Sequence, residues 1–389
     1  MKSAILTLFY QNYNYGGVLQ GYALQQELKK IGVESEILNL DRKKMSRFSS
    51  KGHSKNKSII CKLKTKVNSF VSSKYLKKRR EAYRKFIDDY VKCSDVVYTD
   101  ANIKTANEEY DFFITGSDQV WSEVSGRDAT FLNFVEDNFR KCSYAASIGS
   151  DEVSDEYLKY MKTALQSFGY ISVREKRAAS ILSSVVNKDI SVVLDPVFFV
   201  EADQWKRLMC DVKKVFIHKR NSYGFLYFLG DGRSAKTLAA SVCRARNLDS
   251  IMIPCGKMKV NMDDIFIHAK KIVDAGPLEF LRLINEAEYV FTDSYHCVAF
   301  SIIFNKPFVV FGREDKNRRV AMNSRIDNLL EIFSLEKRRV VNLDSMEKIE
   351  ELLYEKVDWE NINSIICKKR AEGEQFLRNA VSAIRTENE

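Results

Sequence analysis

Asp293, Ser294 and His296 stand within four residues of one another, in Thr292-Asp-Ser-Tyr-His296. An apolar strand, Tyr289–Phe291, runs into this polar turn, and an apolar helix over His296–Phe304 leaves it. A histidine at a helix start can meet an anion with its ring while the first-turn N–H groups meet it with theirs. Such a turn can hold a phosphate or carboxylate without a metal. Only four histidines occur (53, 218, 268 and 296), and His296 alone falls at a predicted strand-to-helix turn. A buried histidine with its hydrogen bonds satisfied is the plainer reading of the same residue.

Three further turns hold groups of related chemistry. Tyr170-Ile-Ser-Val-Arg-Glu175 puts the Arg174 guanidinium at the tip of a buried-type strand. There it could grip a carboxylate or phosphate through two parallel hydrogen bonds, or simply pair with Glu175. Thr115-Gly-Ser-Asp-Gln-Val-Trp121 offers Ser117, Asp118 as a base for a sugar hydroxyl, and Trp121 as a face for a sugar ring. Asp118 as a helix N-cap competes with that reading. Asn12-Tyr-Asn-Tyr-Gly-Gly-Val-Leu-Gln20 sets Asn14, Gly16, Gly17 and Gln20 at a strand-to-helix junction. Adjacent glycines there let the backbone approach a bound group, or merely turn the chain. The loop is neither G-x-G-x-x-G nor G-x-x-x-x-G-K-[ST], so neither dinucleotide nor P-loop binding is indicated. No His, Cys or Asp cluster has metal-ligand spacing, and the expectation is a site with no metal and no cofactor.

The elements that must position these turns alternate strand and helix twice over. The first series reads strand Ala4–Tyr10, a helix at about Gly17–Ile31 closed by Gly32, then strands Val33–Leu40, Asp111–Thr115, Lys141–Ser147 and Tyr170–Val173. Val192–Leu194 ends at Asp195-Pro196, a predicted crossing point. The second series has strands Gly224–Leu229, Ser250–Ile253, Ile272–Asp274, Tyr289–Phe291, Pro307–Phe311 and Arg339–Asn342, separated by helices, with a helical tail over Ser345–Ala380. This order predicts an α/β protein of two Rossmann-like doubly wound domains facing across a cleft, over about 1–190 and 191–389. A basic helical insertion at about 42–92 interrupts the first. Ligands of such sheets bind at the carboxyl edge, and every turn named above falls there.

Charge is unevenly spread. Between Arg42 and Lys85 there are seventeen Lys or Arg against one acid, Glu81, a local balance of +16 that leaves the rest of the chain near −6 of the total +10. A single basic block on a mildly acidic protein argues against a general nucleic-acid binder. Ile59, Ile60, Leu63, Val67, Phe70 and Val71 recur within it near helical spacing. The block is either a solvated helical excursion or a patch that rests on anionic lipid headgroups. The eight cysteines form no CxxC pair, which fits reduced thiols. The first apolar run is too short for a signal peptide and no apolar run is long enough to span a bilayer, so the expected place is the cytoplasm, with peripheral contact at the inner face of the membrane.

Taken together, Asn14-Tyr-Gly-Gly-Val-Leu-Gln-Gly-Tyr-Ala-Leu-Gln25, Ile114-Thr-Gly-Ser-Asp-Gln-Val-Trp121, Tyr144-Ala-Ala-Ser147, Ile171-Ser-Val-Arg-Glu175, Leu194-Asp-Pro196 and Thr292-Asp-Ser-Tyr-His296 resemble the polysaccharide pyruvyl transferase family. The resemblance implies a fold similar to GT-B glycosyltransferases. It implies transfer of a pyruvyl group from phosphoenolpyruvate to two hydroxyls of a sugar, forming a cyclic ketal and releasing phosphate. Acceptors in that family belong to exopolysaccharide, capsule or cell-wall glycans, some of them lipid-linked. By motif, the donor-binding roles of arginine and histidine fall on Arg174 and His296. Many members have an arginine where this chain has Ser294, and Cys297 replaces a frequent glycine. The resemblance then asks Arg313, Lys306 or Lys219 to make good the missing charge. A nucleotide-sugar glycosyltransferase of GT-B fold, or a non-catalytic glycan-binding protein of a polysaccharide locus, would use the same cleft.

Overall fold

The computed structural model describes residues 1–46, 76–124, 126–210, 222–230, 232–254, 264, 266–313, 324–340 and 346–388. Two parallel sheets organise them. The first has the order β3-β2-β1-β4-β5, built from β1 (Lys2–Leu6), β2 (Glu34–Leu40), β3 (Cys93–Tyr98), β4 (Phe112–Thr115) and β5 (Lys141–Ser143). Backbone bonds from Ser143 N to Tyr170 O and Ala146 N to Ser172 O carry it onward to the parallel pair β6 (Ile171–Val173) and β7 (Ile190–Val192). The second sheet has the order β10-β9-β8-β11-β12-β13, from β8 (Tyr223–Tyr227), β9 (Asp249–Met252), β10 (Lys270–Lys271), β11 (Tyr289–Thr292), β12 (Phe308–Phe311) and β13 (Arg339–Val340). Each sheet spreads one way, then the other, from a switch point: β1/β4 in the first and β8/β11 in the second. Such a point opens a crevice at the carboxyl ends of the strands.

This is the expected α/β architecture of two doubly wound domains. The differences have physical causes. β3 was not expected, because its middle residues Asp95, Val96 and Val97 are exposed and an edge strand of that kind shows no two-residue alternation. β7 pairs with β6, and the chain then leaves that pair through Asp195-Pro196. The tail is two helices, Met346–Tyr354 and Trp359–Asn388. Most of the basic insertion, 47–75, lies outside the described residues, but its last part is a helix over 76–90. Arg79, Tyr83 and Phe86 face inward at helical spacing, and Lys77, Lys78, Arg80, Arg84 and Lys85 face outward.

The domains pack directly on one another. Tyr15, at the start of the helix Tyr15–Lys30, stacks on Phe280 of the second domain at 4.4 Å and 3°. Its hydroxyl donates to Ala275 O at 2.7 Å, and the Arg79 guanidinium lies over its other side at 4.9 Å from the ring centroid. An offset aromatic pair of this kind adds about 0.5–1.5 kcal/mol to the area it buries. The long helix Trp359–Asn388 returns across the interface: Arg370 Nε donates to Phe198 O at 2.7 Å, and Lys30 pairs with Glu374 at 2.7 Å.

Candidate active site

The carboxyl edges of the two sheets meet, and what they bring together is a buried ionic cluster. Asp195, on the crossing segment just after β7, is its hub. Its Oδ2 takes Arg174 Nη1 at 2.6 Å and Ser117 Oγ at 3.2 Å, and lies 3.4 Å from His296 Nε2. One carboxylate thus ties an arginine of the first domain to a histidine of the second. Burial alone would raise the pKa of Asp195, but His296 and Arg174 hold it well below the usual carboxylate range. A depressed carboxylate stabilises the fold in full above the unfolded-chain value near ~3.9, and that stabilisation is lost as the pH falls below it through the folded value. The urea midpoints of wild type and Asp195→Asn should therefore be well separated at pH 7 and draw together below about pH 4; a separation that does not depend on pH would remove the ion pairs as its cause.

Arg174 is 1% exposed. Besides Asp195 it has Glu175 Oε1 3.6 Å from Nε, Asp118 Oδ1 3.7 Å from Nη2, and the Tyr295 ring 4.2 Å from Cζ. These last two carboxylates are at ion-pair range but beyond hydrogen-bond range, so Nε and Nη2 have no hydrogen-bond partner, and neither does Nε2 of His296. Buried donors of this kind are costly and rare unless a bound group completes them. Glu175 accepts from Ser147 Oγ; burial raises its pKa, against the pull of Arg174 and Arg325. Asp118 holds a left-handed backbone, φ 70°, unusual for a residue with a Cβ and typical of functional turns.

His296 lies in the first turn of the helix Tyr295–Ile303, and its ring lies against Gly16 of the opposite domain, where any Cβ would overlap the imidazole. Gly16 is small because the histidine is there. Gly16→Ala must move the ring off Asp195, and turnover should fall by about 10²-fold with the fold retained, as for loss of a placed acid or base. Wild-type rates in Gly16→Ala would show that the position of the ring does not matter.

Several of the expected site residues also hold the local framework. Asn14 is the N-cap, its Oδ1 accepting from Gly16 N at 3.0 Å and Gly17 N at 3.4 Å. Gln20 is fully buried, donates to Thr7 Oγ1 and Gly17 O, and accepts from Ser117 N at 3.1 Å, which fixes the Ser117 turn. Trp121 must be corrected from a sugar-stacking residue to a core residue. It is fully buried, stacks on Phe131 at 5.8 Å, and donates Nε1–H to Thr130 O. An aromatic after a polar turn reads the same whether it points out or under the sheet. Asp293 accepts from Leu229 N at 2.6 Å and Gly230 N at 2.7 Å and so closes the second switch point. Ser294 is buried beside it, its N–H donating to Thr292 Oγ1.

Of the cations expected to replace an arginine at Ser294, Arg313 is at the right edge, its Nη2 donating to Asp293 O at 2.9 Å. Lys306 is not. It precedes β12 at the amino edge, where burial and Lys206 lower its pKa. Lys219 lies outside the described residues. Two site residues were missed. Asp195 reads as an ordinary N-cap before proline, which it also is, accepting from Val197 N at 3.2 Å. Arg325 opens the helix Ser324–Ile332 after a run of exposed-type cations, and nothing in its neighbours marks it as buried.

Among the described residues no three His, Cys, Asp or Glu side chains gather as a metal would need, and no helix is long and apolar enough to cross a membrane. The fold and cluster define a GT-B-type protein whose two domains meet at a buried cluster of arginine, histidine and carboxylates. Solved structures of the same fold include UDP-GlcNAc 2-epimerase from Neisseria meningitidis, at TM-score 0.54 and 10% identity over 96% of this chain and 100% of that one. A putative UDP-N-acetylglucosamine 2-epimerase from Listeria monocytogenes is similar at TM-score 0.53 and 13% identity, over 94% and 90%. A search of curated proteins finds no match. The model of one family, polysaccharide pyruvyl transferase, matches residues 14–315, and the chain belongs to that family.

Proposed function

We propose that this protein moves the pyruvyl group of phosphoenolpyruvate onto two hydroxyls of a sugar in a polysaccharide or its lipid-linked precursor. The observation that supports this best is the set of unpartnered buried donors on Arg174 and His296, brought from two domains to one point. Phosphoenolpyruvate has a carboxylate and a phosphate close together, and a cationic, water-poor pocket answers both. In this reading His296 delivers a proton to the methylene carbon, Arg174 steadies the carboxylate beside the oxocarbenium-like centre, and Asp118 takes the proton of the attacking hydroxyl. The second hydroxyl then displaces phosphate, and its proton leaves with the departing group. The ketal closes with the His296 proton on the new methyl, the first hydroxyl's proton on Asp118 and the second's on phosphate, and passage of the Asp118 proton to His296 through solvent resets both side chains.

The test is to incubate the protein with phosphoenolpyruvate and candidate glycans, measuring phosphate release and a glycan mass gain of one pyruvate less one water. Guanidinium charge does the work that a metal would do on these anions, so turnover should persist in EDTA. Turnover of a nucleotide sugar, or turnover that needs added Mg²⁺ or Mn²⁺, would favour glycosyl transfer. Binding of glycan with no turnover on any donor would favour a non-catalytic role.

We also propose that the basic insertion rests on anionic lipid. The outward cations of the helix 76–90 continue the charge of the block, and each Lys or Arg near an anionic surface adds about 1 kcal/mol, screened by salt. The protein should sediment with anionic liposomes at low salt, progressively less as salt rises, and hardly at all with neutral ones. Indifference to anionic liposomes at low salt would make the block a solvated face.

A further inference from the structure

Arg325 is 7% exposed, on the first turn of the helix Ser324–Ile332. That helix is docked on the Arg174 turn through the residue three positions on: Asn328 Oδ1 accepts from Lys176 N at 3.1 Å, and its Nδ2 donates to Arg174 O at 3.4 Å. Residues three apart share a helix face, so Arg325 and Asn328 look to the same side. What meets the guanidinium there is Gln119, the neighbour of Asp118; with its amide turned so that the oxygen faces Arg325, that oxygen accepts from Nη1 at 3.1 Å and Nη2 at 3.0 Å. No described carboxylate lies within ion-pair distance, and Nε has no hydrogen-bond partner. A buried guanidinium whose hydrogen-bond acceptor is neutral, with Glu175 and Asp118 acting on it only from beyond ion-pair distance, is under-compensated. Its charge is felt at Glu175 and at Tyr295, the residue stacked on Arg174. Burial and the like charge of Arg174 push Arg325 down to about 10. A bound anion near both arginines would offset their like charge.

We propose that Arg325 is a direct donor-binding residue, a second guanidinium beside Arg174 that provides the charge Ser294 does not. The assignment rests on the reading of phosphoenolpyruvate as donor. It places the compensating cation on the helix after β12, and it divides the donor between two planar forks, one from each domain. Gln119 holds Arg325 in place without neutralising it.

The test is calorimetric binding of phosphoenolpyruvate, with no acceptor, to full-length wild type, Arg325→Gln and Arg325→Lys, each checked by urea unfolding. Loss of a hydrogen bond to a charged group should weaken binding by about 10- to 100-fold in Arg325→Gln. Arg325→Lys, which keeps the buried charge but not the fork, should weaken it less, and it decides the matter if the glutamine variant does not fold. Glycan affinity should stay unchanged in both. A folded variant with wild-type donor affinity would overturn the role of Arg325 and leave the donor reading intact. Wild type that does not bind phosphoenolpyruvate would overturn the donor reading and this assignment with it.

Discussion

His296→Ala should retain the fold and lose turnover by about 10²-fold or more. The ring lies against Gly16 and 3.4 Å from the Asp195 carboxylate, so in the proposed reaction its loss removes the group that would deliver the proton to the methylene carbon. It leaves a space beside Gly16 that the helix Tyr295–Ile303 does not need for its own stability, because the apolar residues Val298, Phe300 and Ile302 anchor it. The check is steady-state kinetics with phosphate release as readout, beside a melting curve. A variant with native melting and near-native turnover would take His296 out of the chemistry. Gly16→Ala provides the comparison: if the ring acts by position, both variants fail in the same step.

Arg174→Lys should raise the KM for phosphoenolpyruvate by about 10- to 100-fold and change that for the acceptor little. Lysine can still reach Asp195, but its ammonium is a point charge and cannot keep the 2.6 Å bond to Asp195 while offering two further N–H groups in a fixed plane. The stacking of the guanidinium on Tyr295 is lost as well. A structural role predicts something else: a lowered melting temperature with donor affinity intact. The Arg174–Glu175 pair exists, at 3.6 Å, yet it uses only one corner of the guanidinium, so the structural and the binding readings meet in one residue.

Much of this site was legible because turns at the carboxyl edge announce themselves. A short apolar run, then Asp-Ser-Tyr-His or Gly-Ser-Asp, then helical spacing, sets polar groups at strand tips whatever the rest of the fold does. Ser117, Asp118, Arg174 and His296 were found that way, and the structure brings them together around Asp195. Burial was harder to foresee. Trp121 and Gln20 sit in the same polar turns as Asp118 and Gly16, and only the packing of the sheet decides that one faces the pocket and the other the core. Asp195 and Arg325 have unremarkable neighbours in sequence, and what distinguishes them is who lies opposite across the domain interface. Edge strand β3 escaped for the converse reason, since its exposed residues have no partner face to impose alternation.

The return of the helix Trp359–Asn388 to the first domain means that the polypeptide passes between the two halves twice, and Arg370 bonded to Phe198 shows the passages running side by side. Two adjacent passages behave as a spine. They resist shearing and twisting of the halves, and the freedom they leave is a swing about their shared line, as in the covers of a book. Asp195 belongs to that spine, so it is nearly stationary in such a swing, while His296 and Gly16, on facing covers, separate. In the proposed reaction, donor entry and the approach of His296 to Gly16 would then be one event read against a fixed carboxylate.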